Sequence, residues 1–201
     1  MRWRRDPCPC CVTKPDWSCE APTTEAPAIG RRGLFGAALG LASLALASPV
    51  LAAPGDRSIA INRVGTGESF NGIYFREGRY DPDALLSLNW LLRDPHLGEA
   101  TPMDPRLFDV LHSVAAMMNA SEPYEVISGY RTPESNAANA RRSRRVSRAS
   151  LHMSGMAADV RLPGQSSMGM ARLAANMQIG GVGLYRRDGF VHLDCGPSRR
   201  W

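Results

Sequence analysis

The sequence predicts an α+β domain in which a central, mainly antiparallel β-sheet is flanked by helices. Three observations carry this reading. Strand-like segments lie towards both ends of the chain beyond its first quarter, with helical segments between them. They do not alternate regularly with helices, as the strands of a parallel sheet would. Two Asp-Pro pairs, Asp81-Pro82 and Asp104-Pro105, mark helix starts in that middle region.

The first quarter is set aside from the fold. From Arg31 the chain reads Arg-Arg-Gly-Leu-Phe-Gly, then a run rich in Leu, Ala and Gly, then small residues around Val50-Leu51-Ala52. Charged head, apolar middle and small end are the parts of a secretory signal. The Arg31-Arg32 pair also resembles a twin-arginine export signal. Residues 1–52 are therefore read as an N-terminal extension and export signal, and 53–201 as one domain. An uncleaved signal would be a membrane anchor over Leu34 to Ala53. Both readings put the domain outside the cytoplasm, in the periplasm. Cys8, Cys10, Cys11 and Cys19 precede the signal and only Cys195 follows it, so no internal disulfide framework is available. The formal charge of +5 falls to +3 without the leader, a balance that does not call for nucleic acid as a partner.

In the domain, Ser58 to Asn62 and Ser69 to Phe75 read as a pair of strands. Asp81 caps a helix with Leu85, Leu88, Asn89 and Leu92 on one stripe, and Asp104 caps another with Leu107, Val110, Leu111, Val114 and Met118. Tyr124 to Ser128 has strand composition and ends at Gly129, after which Thr132 caps a helix begun by Pro133. That helix runs into the basic run Arg141, Arg142, Arg144, Arg145 and Arg148. A strand over Ala157 to Leu162 follows, then a helix over Ser166 to Met177. Two closing strands, Gly180 to Tyr185 and Phe190 to Asp194, are joined by a turn.

The chemistry concentrates in two segments, Ser150 to Asp159 and Phe190 to Asp194. His152, Asp159 and His192 supply two imidazoles and a carboxylate, the set of a catalytic zinc site that leaves a fourth position for water. Gly155 allows a tight turn after His152. The period of two then puts Ala157, Asp159 and Arg161 on one strand face, and Phe190, His192 and Asp194 on another. If those strands are neighbours, the ligands converge. Cys195 should face away from His192. His96 and His112 are assigned no site role. The same ligand set also suits non-haem iron, but the seven-residue gap from His152 to Asp159 does not match the usual iron motif.

Four patterns together resemble the murein endopeptidase K group of the zinc D-Ala-D-Ala carboxypeptidase and lysostaphin-like metallopeptidases: Ser128-Gly129-Tyr130-Arg131, the Ser150 to Asp159 segment, Gly181 to Tyr185, and Phe190 to Trp201. Arg79 to Pro82 and Leu88 to Asp94 also resemble that group. The resemblance implies zinc at His152, Asp159 and His192, and peptidoglycan stem peptides as substrate. It places Ser128, Tyr130, Ser150 and Arg199 as substrate-binding positions. Relatives carry an acid three residues before the last histidine or a histidine two before it; these positions are Gly189 and Phe190 here. Asp194 is then expected to be the general base, with Asp188 as the other option, and Arg131 the cation that steadies the oxyanion. The alternative for Asp194 is to orient a ligand imidazole or pair with Arg199, and for Arg131 a structural ion pair. Trp201 is expected to serve the core and the groove wall together. The expected activity is zinc-dependent hydrolysis of peptide cross-links by a DD-endopeptidase. The alternatives are a D-Ala-D-Ala carboxypeptidase and a non-catalytic wall-binding module with a structural zinc site. The sequence is silent on oligomeric state.

Overall fold

The computed structural model describes residues 55–144 and 146–201. The leader, its Arg31-Arg32 pair and the four early cysteines lie outside the described residues. Among those described, no helix is long and apolar enough to cross a membrane.

Eight strands form one sheet: β1 Arg57–Arg63, β2 Ser69–Arg76, β3 Arg79–Tyr80, β4 Tyr124–Ser128, β5 Ala157–Arg161, β6 Gly181–Tyr185, β7 Phe190–Asp194 and β8 Arg199–Arg200. Their order is β3-β2-β1-β4-β5-β7-β6-β8. Five of the pairings are antiparallel, whereas β1 with β4 and β6 with β8 are parallel. The α+β class with a mainly antiparallel sheet is thus borne out. The two-residue strands β3 and β8 were too short to leave a pattern in the sequence.

Four helices accompany the sheet: α1 Pro82–Leu91, α2 Pro105–Met117, α3 Pro133–Arg142 and α4 Ser167–Met177. Each starts where a side-chain oxygen satisfies an otherwise orphaned backbone amide. Asp81 accepts from the amides of Asp83 and Ala84, Asp104 from Arg106, Thr132 from Ser135, and Ser166 from Gly169. Proline follows three of these caps, where its missing N–H has no helical partner to lose. α3 ends at Arg142, earlier than the basic run suggests, with Ser143 extended at its C-cap.

The apolar stripes of α1, α2 and α4 cover one face of the sheet. Leu107, Leu111 and Val114 from α2 and Met170 and Ala174 from α4 join Ile59, Ile61, Val126, Ala158, Val160, Val191 and Leu193 in a single core. Fully burying one such Leu or Val stabilises the fold by roughly 2 kcal/mol. Alternation along β5 and β7 therefore has a definite consequence. Ala158, Val160, Val191 and Leu193 face the helices, so Asp159 and His192 must face the other way.

Candidate metal centre

Strands β5 and β7 are neighbours, and Asp159 pairs directly with His192 in the register. His152 comes from a short 3-10 helix, Leu151–Ser154, where the sequence suggested a loop. Ser150 caps it by accepting from the His152 amide. Gly155 closes it in the left-handed region at φ 67°, and a Cβ there would lie 2.7 Å from the carbonyl oxygen of Pro102. The turn that returns the chain from His152 to β5 thus needs a glycine.

Three ligand-type atoms meet. His152 Nε2 lies 3.2 Å from Asp159 Oδ1 and 3.1 Å from His192 Nδ1, which is 3.0 Å from Asp159 Oδ1. All three residues are buried. The outer nitrogens fix where the ring protons are. His152 Nδ1 is 2.6 Å from the carbonyl oxygen of Gly129, which can only accept, so Nδ1 carries the hydrogen. His192 Nε2 is 3.1 Å from Asp194 Oδ2 and donates to it. Both inward nitrogens therefore present lone pairs to each other and to a carboxylate oxygen. Such an arrangement is repulsive unless a positive charge sits among the three atoms. The titration behaviour of the two rings differs. Burial alone would lower the His192 pKa, but the carboxylates of Asp159 and Asp194 outweigh it and raise it. At His152 burial dominates and the pKa is lowered. Two imidazole nitrogens and one carboxylate oxygen, oriented from behind, fit a metal ion.

The carbonyl of Gly129 is itself held firmly. The amide of Tyr130 donates to Leu92 O at 2.7 Å and that of Arg131 to His152 O at 3.2 Å. A Cβ on Gly129 would stand 2.5 Å from Leu92 O, so only glycine lets the chain leaving β4 pass this close. Just beyond, the buried carboxylate of Asp94 accepts from Thr132 N at 2.9 Å, Thr132 Oγ1 at 3.0 Å and His96 N at 2.9 Å. Asp94 thereby ties the end of α1 to the cap of α3.

The structure redistributes several expected roles. Asp194 does not line the cleft, as a general base would. It is fully buried behind His192 and accepts from the amides of Gly181 and Gly196, each at 2.9 Å, and from Arg199. Burial would raise its pKa, but these donors, His192 first, hold it down to about 2. A carboxylate so fully engaged is a poor proton acceptor, and its geometry is that of a positioning residue. Asp188 sits exposed in the β6–β7 turn and does not line the cleft beside His152, Asp159 and His192.

Arg131 lines the cleft and also makes a buried ion pair with Asp159 through Nη2, while its Nε donates to Ser128 Oγ at 2.8 Å. Ser128 thus holds Arg131 and does not itself line the cleft. Tyr130 is also absent from the cleft wall. It packs against the core, where burial and the nearby carboxylates of Glu99, Asp94 and Glu134 raise its pKa. Ser150 and Arg199 do line the cleft. His96 is exposed in its loop, and His112 faces Ser58 O from α2, so neither belongs to the site. Cys195 is buried with its Sγ towards Met156 O, away from the ligands.

The cleft has a volume of about 370 Å3. One wall is aromatic: Tyr185 and Phe190 stack with centroids 4.5 Å apart, and Trp201 lies 5.2 Å from the His192 ring. Trp201 is 56% exposed, so it forms groove wall and not core. Backbone bonds between Trp201 and both Val182 and Leu184 fix it beside β6. Tyr185, the Gly129 carbonyl and the Asp94 clamp were not singled out from sequence. All three stood within patterns that resemble the family, Gly181 to Tyr185, Ser128 to Arg131 and Leu88 to Asp94, but the patterns alone gave them no role.

Comparison with known proteins identifies the family. The family model described as peptidoglycan L,D-endopeptidase MepK matches residues 51–201. The proteins of that name from Escherichia coli and Shigella flexneri are each 37% identical over 169 residues, covering 84% of this chain and 93% of theirs. A probable peptidoglycan L,D-endopeptidase MepK from Haemophilus influenzae is 34% identical over 172 residues, covering 84% and 91%. No solved structure matches. The resemblance noted from the motifs is therefore borne out, and the chain belongs to the peptidoglycan L,D-endopeptidase MepK family.

Proposed function

We propose that this protein is a zinc-dependent peptidoglycan peptidase that hydrolyses L,D peptide cross-links, with His152, Asp159 and His192 as the metal ligands. The observation that carries the proposal is the meeting of three lone-pair donors within 3.2 Å, each imidazole proton being fixed on the outer side by Gly129 O or Asp194. The names of the relatives favour the L,D bond over the D,D bond suggested by the motifs alone.

Zinc bound there would supply Lewis acidity to the scissile carbonyl and lower the pKa of a water. The chain's own residues do the rest. Arg131, anchored by Ser128 and Asp159, offers its guanidinium to the charge that develops on the carbonyl oxygen. Arg199, paired with Asp194 behind the site, lines the cleft where a substrate carboxylate can meet it. Tyr185, Phe190 and Trp201 give a flat apolar wall for the peptide chain, and Ser150 lines the cleft next to His152.

We further propose that residues 1–52 export the protein to the periplasm by the twin-arginine route and that 53–201 form the catalytic domain. The Arg31-Arg32 signal and a peptidoglycan substrate both favour this.

A second reading, a wall-binding module with a structural zinc, is favoured by one observation. Among the described residues Asp159 is the one carboxylate lining the cleft, and it is already engaged by both histidines and Arg131. The test is incubation of the purified protein with muropeptide dimers joined by L,D or by D,D bonds, followed by mass spectrometry. Conversion of the L,D dimer alone to monomers is expected. Cleavage of the D,D dimer would reassign the bond, and zinc binding without cleavage of either would favour the wall-binding module.

A further inference from the structure

A second cavity, of about 550 Å3, lies on the helix-covered face of the sheet, opposite the face that carries the metal centre, and shares Trp201 with the metal cleft. Its floor is apolar, made by Met168 and Ala171 of α4 and by Val182 and Leu184 of β6. Arg172, Arg186 and Arg200 stand around it, all exposed. No carboxylate lines it, and among the described residues none of these three arginines has an ion-pair or hydrogen-bond partner through its side chain. Arg57, Arg93 and Arg106, by contrast, are each matched to Asp109, Glu68 or Asp104. Three unmatched guanidinia over an apolar floor suit a ligand that carries both a carboxylate and small apolar groups. Trp201, which follows the edge strand β8, lines this cavity and the metal cleft alike, so one chain wrapping the sheet edge over the indole could occupy both.

We propose that this cavity is a subsite for a carboxylate-bearing arm of the cross-linked peptide, beyond the bond that is cut. The inference rests on the peptidase reading for the identity of the ligand, but the binding it describes needs no turnover. A cross-linked substrate has two peptide arms leaving the scissile bond. The cleft at His152 and His192 accommodates the bond and its nearest residues, and Arg172, Arg186 and Arg200 hold the acidic end of one arm. The methyl-sized groups of that arm lie on Ala171 and Leu184. Charge discrimination therefore arises at a distance from the reacting atoms, through binding energy rather than chemistry.

The test is calorimetric titration of the zinc-loaded full chain with an uncross-linked stem tripeptide, as the free acid and as its amide. The unaltered protein is expected to bind the acid about tenfold more tightly than the amide. The double variant Arg172→Ser/Arg186→Ser is expected to bind both with the affinity of the amide. A preference that survives in the variant, or that is absent from the unaltered protein, overturns the subsite. Amide resonances of Ala175 and Leu184 give a readout independent of the variant: the free acid should shift them in the unaltered protein, and unshifted resonances at saturation overturn the proposal. Cleavage without acid preference would remove the subsite and leave the peptidase reading intact. Acid-selective binding without cleavage would do the reverse.

Discussion

Asp194 stands directly behind His192, its Oδ2 3.1 Å from Nε2, while the Nδ1 of the same ring faces His152 and Asp159. Two residues apart on β7, they share one strand face, and the hydrogen bond sets the tautomer that turns the ring's lone pair inward. Asp194→Asn should therefore lower zinc affinity by about 10- to 100-fold and activity with it. Competition titration against a chromogenic chelator reads this. Unchanged affinity with lost turnover would return Asp194 to the role of base.

Gly129 is predicted to tolerate no side chain. With its Cβ 2.5 Å from Leu92 O, Gly129→Ala should cost about 1–3 kcal/mol of stability and displace the carbonyl that orients His152. Gly65→Ala, where the new Cβ meets nothing within 4 Å, should change stability by less than about 0.5 kcal/mol. Urea unfolding of the two variants makes the comparison.

Stability should fall on acidification through Asp94. Burial tends to raise its pKa, but the donors on it, from Ser135, Thr132 and His96, bring it below the ordinary value. A carboxyl that titrates lower when folded contributes stability above its unfolded pKa of about 3.9 and loses it as pH drops through the folded value. Asp94→Asn should be destabilised by about 1–3 kcal/mol at pH 7, because its amide cannot accept from every donor. The gap to the unaltered protein should close below the ordinary carboxylate range. Unfolding curves across pH decide it; a gap that stays constant would mean that Asp94 does not titrate as described.

Trp201→Ala removes an exposed wall and little core, so stability should change by less than about 1 kcal/mol. Hydrolysis of cross-linked dimers should nevertheless fall about tenfold or more in kcat/KM through lost substrate contacts. Steady-state kinetics beside thermal melts separates the two effects.

The convergence of Asp159 and His192 was legible because strand alternation is a local rule. Val191 and Leu193 must face the core, and that alone turns His192 away from it. The helices were legible through their caps, Asp81, Asp104, Thr132 and Ser166. Long-range hydrogen bonds were not legible. Asp194 read as a base because its spacing from His192 was visible, while the amides of Gly181 and Gly196 and the guanidinium of Arg199 that saturate it come from elsewhere in the fold. Ser128 and Tyr130 read as substrate contacts from their motif. The backbone bond from Tyr130 to Leu92 and the grip of Ser128 on Arg131 set both apart from the cleft wall.

The most direct test is zinc content measured by mass spectrometry on the same samples whose hydrolysis of L,D dimers is followed. The unaltered protein should hold one zinc per chain and lose cleavage when a chelator removes it. His152→Ala and His192→Ala should lose both together. Cleavage that persists in protein stripped of metal, or zinc retained in full by both variants, would contradict the assignment of His152, Asp159 and His192 as the metal centre.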